Sequence, residues 1–376
     1  MKKRILVINF GGIGDQILFF PALKSLKKTF YNPFITFITE PRSKSTNELT
    51  DLIDETFISN LKSGNKFINI FKILVKAFCG KYDIVISSGS SKFVAILLFL
   101  TGIKKRIGYD SGALSRILLT DAVPLNQNQY AANMYHDLVF SLCDSQKAEL
   151  PEIKIDLGHE KRTYIENLIC ADKKKIVIHP GVSKLSIEKG IIKFWSAGRW
   201  AGLIKKLLQS GEYSVILTGG TDDREIYSEI HANLAQQERV TPFLNEAKPP
   251  FQGLHSRQDE SFNRDYLIDL TDKSFNIKEF AYIVKLSDML ICVDSAPMHI
   301  AVGLKKSVVA LFGPTDEKKL LPFDNKLFTP VKNDGAACRP CLWHKRQTSC
   351  EETTCLNIEI EQVFNVLVEK FLLQHK

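Results

Sequence analysis

The stretch that most constrains the fold lies near the amino terminus, where residues 4–10 read RILVINF. The run is apolar and β-branched without alternation, as in a strand buried on both faces of a parallel sheet. It ends in Gly11-Gly12-Ile13-Gly14, and over residues 16–30 apolar residues recur at helical spacing, with Lys24, Lys27 and Lys28 toward the far end. Strand, glycine turn and helix in that order make a βα unit.

Similar strands are predicted at residues 34–38, 83–87 and 106–108, separated by stretches long enough for helices. A Lys-rich segment, 157–175, is helical in its first part and precedes a new buried strand at 175–179. The second half repeats the pattern with strands at 214–218, 266–269, 289–293 and 307–312, each followed by Gly, Pro, Asp or Ser. A chain of 376 residues is long enough for two domains. The expected organisation is a first α/β domain over 1–170, a second over 171–357, and a closing helix over 358–376. Two such domains in tandem leave a cleft between them, and ligands of open α/β sheets bind at the carboxyl ends of the strands. Residues 240–263 interrupt the alternation and read as an insertion or flexible loop.

Several function classes recede at this stage. The longest lipid-compatible run, 93–103, falls short of the ~20 apolar residues that a membrane-spanning helix needs. Lys2, Lys3 and Arg4 precede apolar residues, but Asn9 and Asp15 interrupt that run and no small-residue cleavage site follows, so a cytoplasmic location is expected. Cys79, Cys143, Cys170 and Cys292 stand alone in apolar surroundings and read as reduced core thiols. The formal charge of +8 suits an anionic partner as well as simple solubility. The basic residues are dispersed and form no nucleic-acid recognition motif, so nucleic acid is not expected as a partner. The dinucleotide fingerprint and the P-loop lysine are both missing.

The glycines at 11, 12 and 14 allow a sharp turn that exposes helix amides to a ligand. Asp15, beside them, reads either as a helix cap or as a reactive carboxylate. The second half carries His179-Pro180-Gly181, Lys193-Phe194-Trp195, Arg199-Trp200, Thr218-Gly219-Gly220, Asp294-Ser295-Ala296-Pro297-Met298-His299 and Phe312-Gly313-Pro314-Thr315-Asp316. Taken in this order, from Arg4 to about Cys355, these elements resemble glycosyltransferase family 9, the heptosyltransferases of bacterial lipopolysaccharide assembly.

The resemblance implies the GT-B architecture, two Rossmann-like domains whose parallel sheets face each other across a cleft. It implies acceptor on the first domain, with Gly11, Gly12 and Gly14 in the acceptor-side loop, and a nucleotide-diphosphate sugar on the second. The implied activity is inverting transfer of a sugar, heptose from ADP-heptose, to a lipopolysaccharide core or related glycan. The alternative is an inactive relative that only binds nucleotide or glycan. Asp15 matches the family's catalytic carboxylate, the base that takes the acceptor hydroxyl proton. Lys193 is the candidate cation for the diphosphate, with Lys184 or Lys189 in that role if a loop insertion shifts the register. No D-x-D sits where it would hold a metal, so no catalytic cofactor is expected. Gly181, Thr218, Gly219, Gly220, Asp294, Ser295, Ala296, Pro297, His299 and Gly313 are the expected donor-side residues. For His299 a packing role and a donor contact weigh equally, and Trp195 and Trp200 are expected in the core. An acceptor of this kind adds peripheral contact at the inner face of the inner membrane.

Cys338, Cys341, Cys350 and Cys355 cluster with Pro340 between the first pair. Four thiols at these spacings read as a tetrahedral knuckle for zinc or iron, structural because four ligands leave no open position. Free or redox-active thiols are the alternative.

Overall fold

The computed structural model describes residues 2–61, 64–143, 147–182, 186, 188, 190–236, 264–322, 325–342, 350 and 352–374. Lys184, Lys189 and the 240–263 segment lie outside the described residues.

The first half runs β1 (Arg4–Ile8), α1 (Ile13–Thr29), β2 (Phe34–Thr39), β3 (Glu55–Ile58), α2 (Lys66–Cys79), β4 (Ile84–Ser87), α3 (Lys92–Leu100), β5 (Lys105–Tyr109), α4 (Ala113–Leu118), β6 (Asp121–Val123), α5 (Ala131–Asp137) and α6 (His159–Leu168). The second half runs β7 (Lys174–His179), α7 (Ala197–Gln209), β8 (Tyr213–Leu217), α8 (Arg224–Gln236), β9 (Leu267–Asp269), α9 (Ile277–Leu286), β10 (Met289–Val293), α10 (Ala296–Gly303), β11 (Ser307–Phe312), α11 (Glu317–Leu320), β12 (Phe328–Lys332) and α12 (Ile360–Gln374).

Each half holds one six-stranded sheet, ordered β3-β2-β1-β4-β5-β6 and β9-β8-β7-β10-β11-β12. All pairings are parallel, with β1 in register between β2 and β4 (Leu6 opposite Thr36 and Val85) and β7 between β8 and β10. The two orders are the same Rossmann arrangement, whose direction of winding reverses beside β1 and beside β7. The crevices at those reversals lie outside the strands' carboxyl ends, so the β1, β7 and β10 turns are where ligand sites form.

Helices cover both faces of each sheet. In the first, Ile5 and Val7 point toward α1 and α5, while Leu6 and Ile8 point toward α2 and α3. This alternation explains why β1 has no polar face. Trp195 and Trp200 are buried edge to face, ring centroids 4.9 Å apart, and Trp195 Nε1 donates to the Ile358 carbonyl at 2.9 Å. Both are core residues, as expected. Helix α6 packs on the second sheet through Ile165 and Ile169, and α12 packs on the same half through Val363, Leu367 and Phe371. The halves join where Ala281 of α9 and Ile300 of α10 enter the core around α1.

Two sequence expectations need correction. Cys143 and Cys292 are buried, but Cys79 and Cys170 are exposed: Cys79 is the last residue of α2 and Cys170 lies just past the end of α6, and in both helices apolar neighbours take the inward side. The edge strands β3, β6 and β12 were not anticipated: β3 and β6 are at most half buried, and β12 carries Pro330, which an edge strand tolerates.

Candidate active site between the two sheets

A cavity of about 780 Å³ opens between the halves, at the carboxyl ends of both sheets. All the sequence-predicted catalytic, donor and acceptor-loop residues line it except Gly11 and Gly313.

From the first half comes Asp15, the third residue of α1. The Gly12 amide donates to its Oδ2 at 2.8 Å and the Tyr135 hydroxyl of α5 donates to its Oδ1 at 2.8 Å. The carboxylate is therefore a helix cap and a cavity residue at once, with each oxygen retaining acceptor capacity toward the open side. Burial and the Asp15 charge push the Tyr135 phenol well above its ordinary value, so Tyr135 remains the donor at neutral pH. Gly11 is required by packing: a Cβ there would fall 2.3 Å from Asp15 Cβ.

From the second half, Lys193 Nζ donates to Asp294 Oδ2 at 2.7 Å. Asp294, at the end of β10, is 5% exposed. Burial alone would raise its carboxyl, but the Lys193 charge and hydrogen bond prevail and hold it below the usual range. His299 of α10 is buried, its Nδ1 has no hydrogen-bond partner among the described residues, and desolvation pushes its ring below the ordinary value against the pull of Asp294 and Asp15. Its ring occupies the space where a Cβ on Gly14 would lie, 2.5 Å from Cδ2. Glycine at position 14 thus lets the α1 turn of one half close on the α10 start of the other. The Ser295 hydroxyl donates to the Val293 carbonyl at 3.2 Å, so it is engaged in its own turn.

On the donor-side wall, His179 Nδ1 lies 3.3 Å from Thr218 Oγ1, and the ring meets Phe280 edge on at 5.3 Å. Burial pushes His179 down to about 4, so it is neutral near pH 7. Asp223 Oδ2 accepts from the Gly220 amide at 3.0 Å and sits 3.9 Å from His179 Nε2; burial pushes its carboxyl up to about 6. The glycines of these turns are filled from the protein side. A Cβ at Gly181 would strike the Asp223 carboxyl at 2.2 Å, one at Gly219 the Tyr227 ring at 2.0 Å, and one at Gly313 the Leu356 side chain at 2.6 Å. Tyr135, Asp223, Asn276, Phe280 and Arg42 were not singled out from the sequence. Asp223 alone had a local signal, as it follows Thr218-Gly219-Gly220 within one turn.

The four clustered cysteines line a separate cavity of about 30 Å³. Burial first, and then the neighbouring Cys338, Cys341 and Cys350, push the Cys355 thiol up to about 11. Among the described residues no group of three or more His, Cys, Asp or Glu has metal-holding geometry. The segment also braces the active-site wall: Arg339 donates to the Gly313 and Thr315 carbonyls at 2.8 and 3.0 Å, and the Cys341 amide donates to the Pro314 carbonyl at 3.0 Å. Thr315 and Leu342 in turn line the main cavity.

Comparison with known proteins gives a consistent result. The profile of glycosyltransferase family 9 (heptosyltransferase) matches residues 72–245 and 273–351. Lipopolysaccharide heptosyltransferase 3 of Escherichia coli is 24% identical over 84% of both chains. The structure of E. coli ADP-heptose lipopolysaccharide heptosyltransferase II superposes over 100% of both chains with a TM-score of 0.71 at 18% identity. An iron-containing dodecameric glycosyltransferase, TibC of enterotoxigenic E. coli, shares the fold with a TM-score of 0.56 and 11% identity, covering 99% of this chain and 78% of that one.

Proposed function

The chain belongs to glycosyltransferase family 9, and on that premise we propose that it transfers heptose from ADP-heptose to a lipopolysaccharide core with inversion at the anomeric carbon. One observation carries this reading: Asp15 from the first half and the Lys193–Asp294 pair from the second line a single cavity, at the winding reversals of both sheets. An inactive nucleotide-binding protein would use the cation for the diphosphate but would need no carboxylate fixed on the facing wall.

The chemistry follows from that placement. The acceptor hydroxyl gives its proton to Asp15 while its oxygen forms the new bond to the anomeric carbon. The bond from that carbon to the diphosphate oxygen breaks on the opposite face, and ADP leaves with the electron pair. Lys193 keeps N–H donors beyond the one given to Asp294, and these with the Ala296 amide at the start of α10 meet the charge that develops on the leaving diphosphate. Asp294 holds the lysine at the cavity wall. The two domains of this scheme divide near residue 170 in the sequence, with α6 just before that point folded onto the second sheet, and neither half alone contains the machinery.

Two further elements belong to the same reading. Cys338, Cys341, Cys350 and Cys355 suit a zinc or iron ion as a donor set of four thiols around one cavity, and such an ion would draw them together and stiffen the Gly313–Thr315 turn through Arg339. The protein acts on its acceptor as a peripheral enzyme at the membrane surface; among the described residues no helix is long and apolar enough to cross a membrane. The activity is tested by incubating the protein with a heptose-acceptor lipopolysaccharide core and ADP-heptose, or ADP-, UDP- and GDP-hexoses, and following acceptor mass. A heptose increment with ADP-heptose supports the proposal, and transfer only from another donor overturns the donor assignment.

A further inference from the structure

Helices α2, α3 and α4 form one layer on the first sheet. Ile73 and Ala77, Val94 and Leu98, and Leu119 just past α4 are buried there against Leu6, Ile8 and Val85. The outer side of such a layer is normally polar. Here it is not: α3 reads KFVAILLFL with one polar residue, and Phe67, Phe71, Phe78, Phe99 and Ile117 are 50% exposed or more. Among the described residues, eleven of the seventeen exposed large apolar side chains fall between residues 67 and 117, on the helices of this one layer.

The acids around this face are few and ion-paired, Glu55 with Lys76 and Asp121 with Lys105 among them. Residues 64–120 hold only two acids, Asp83 and Asp110. Asp83 pairs with Lys3 at 3.3 Å and accepts from the Arg4 amide, and Asp110 pairs with Arg116 at 2.6 Å. Lys66, Lys72, Lys92 and Lys104 are exposed in the same stretch. A second copy docked face to face about a twofold axis would bring the same lysine-bearing patch against itself with no acid to offset it. An anionic lipid surface supplies the missing charge and accepts the phenylalanines at the acyl boundary.

We propose that the outer face of the α2, α3 and α4 layer seats the protein on an anionic phospholipid bilayer, with Phe67, Phe71, Phe78 and Phe99 entering the interface and the lysines at headgroup level. This names the surface for the peripheral contact put forward above and rests on that reading, but the test reads binding instead of transfer, so failure of one leaves the other standing. The full chain is floated with vesicles of phosphatidylcholine plus phosphatidylglycerol, and with phosphatidylcholine alone. Binding is expected to the anionic vesicles. Phe71→Ser with Phe78→Ser lowers the partition coefficient at least about tenfold, in line with the transfer free energy of buried aromatic surface. Lys66→Gln and Lys72→Gln each lower it about fivefold, the effect of roughly one headgroup-level charge. The substituted side chains are exposed, so melting temperature and ADP affinity stay at their wild-type values. Absence of wild-type binding, binding indifferent to the Phe71 and Phe78 changes, or a dimer in light scattering that those changes dissociate would each overturn the proposal.

Discussion

Lys193→Ala probes an interaction that serves both the fold and the proposed chemistry. In the wild type, the Asp294 carboxylate is almost wholly buried and one lysine balances it at 2.7 Å. Removing one partner of a buried pair costs about 3–5 kcal/mol; because Asp294 borders an open cavity into which water can follow, we expect ~2–3 kcal/mol, or roughly 4–12 °C in melting temperature for a domain of this size. The pH dependence identifies the cause. With Lys193 present the Asp294 value is lowered, so its contribution to stability is present above the unfolded carboxylate range and is lost as pH falls through the lower folded value. Without Lys193, burial prevails and the folded value rises above the unfolded one, so the variant is penalised as pH rises and the gap to wild type narrows toward pH 5. Adding Asp294→Asn removes the buried charge and restores most of the melting temperature, yet ADP binding stays weak if Lys193 also meets the diphosphate. Thermal melts from about pH 5 to pH 8 with calorimetric ADP titrations separate the two roles. A Lys193→Ala protein that melts within about 1 °C of wild type at every pH would refute the structural argument.

Asp223, raised to about 6 by burial, binds a proton in the fold that it has lost in the unfolded chain, so stability falls as pH climbs from the ordinary aspartate range through 6. Asp223→Asn should remove that fall and stabilise the protein by about 2 kcal/mol at pH 7.5; unchanged pH dependence in melting curves would show that Asp223 is not its source. Protein prepared without a metal-affinity tag should carry about one equivalent of zinc or iron, lost along with thermal stability in Cys338→Ser. EDTA added at the assay should leave transfer intact; immediate loss restored by magnesium or manganese would contradict charge neutralisation by protein donors alone.

The architecture was readable because its signals are local. Residues 4–10 are apolar on both faces, and the structure uses both. Weak strands such as β3, with alternating half-buried and exposed residues, carry little pattern of their own and exist because β2 offers them an edge. The site was readable where a residue follows a strand directly, as Asp294 does, or opens the next helix after a glycine turn, as Asp15 does. Tyr135 lies 120 residues from the carboxylate it holds, inside a helix that looks ordinary in sequence. The reason for Gly14 is likewise a histidine from the other half, and no one-dimensional spacing contains that contact. The apolar run at 93–103 was weighed only as a membrane span; that α2 and α4 extend it into a surface follows from the sheet that places them side by side.

The account stands most directly on the role of Asp15. Asp15→Asn keeps the side-chain volume and can still accept from the Gly12 amide and donate to the Tyr135 oxygen, so the α1 turn and the donor wall stay in place. The decisive measurement is single-turnover heptose transfer by this variant at saturating ADP-heptose, beside its calorimetric affinity for ADP. The account predicts a rate lower by ~10²- to 10⁴-fold with ADP affinity unchanged, the loss expected when a general base is removed. Wild-type turnover would show that Asp15 only caps α1 and would contradict the proposed chemistry.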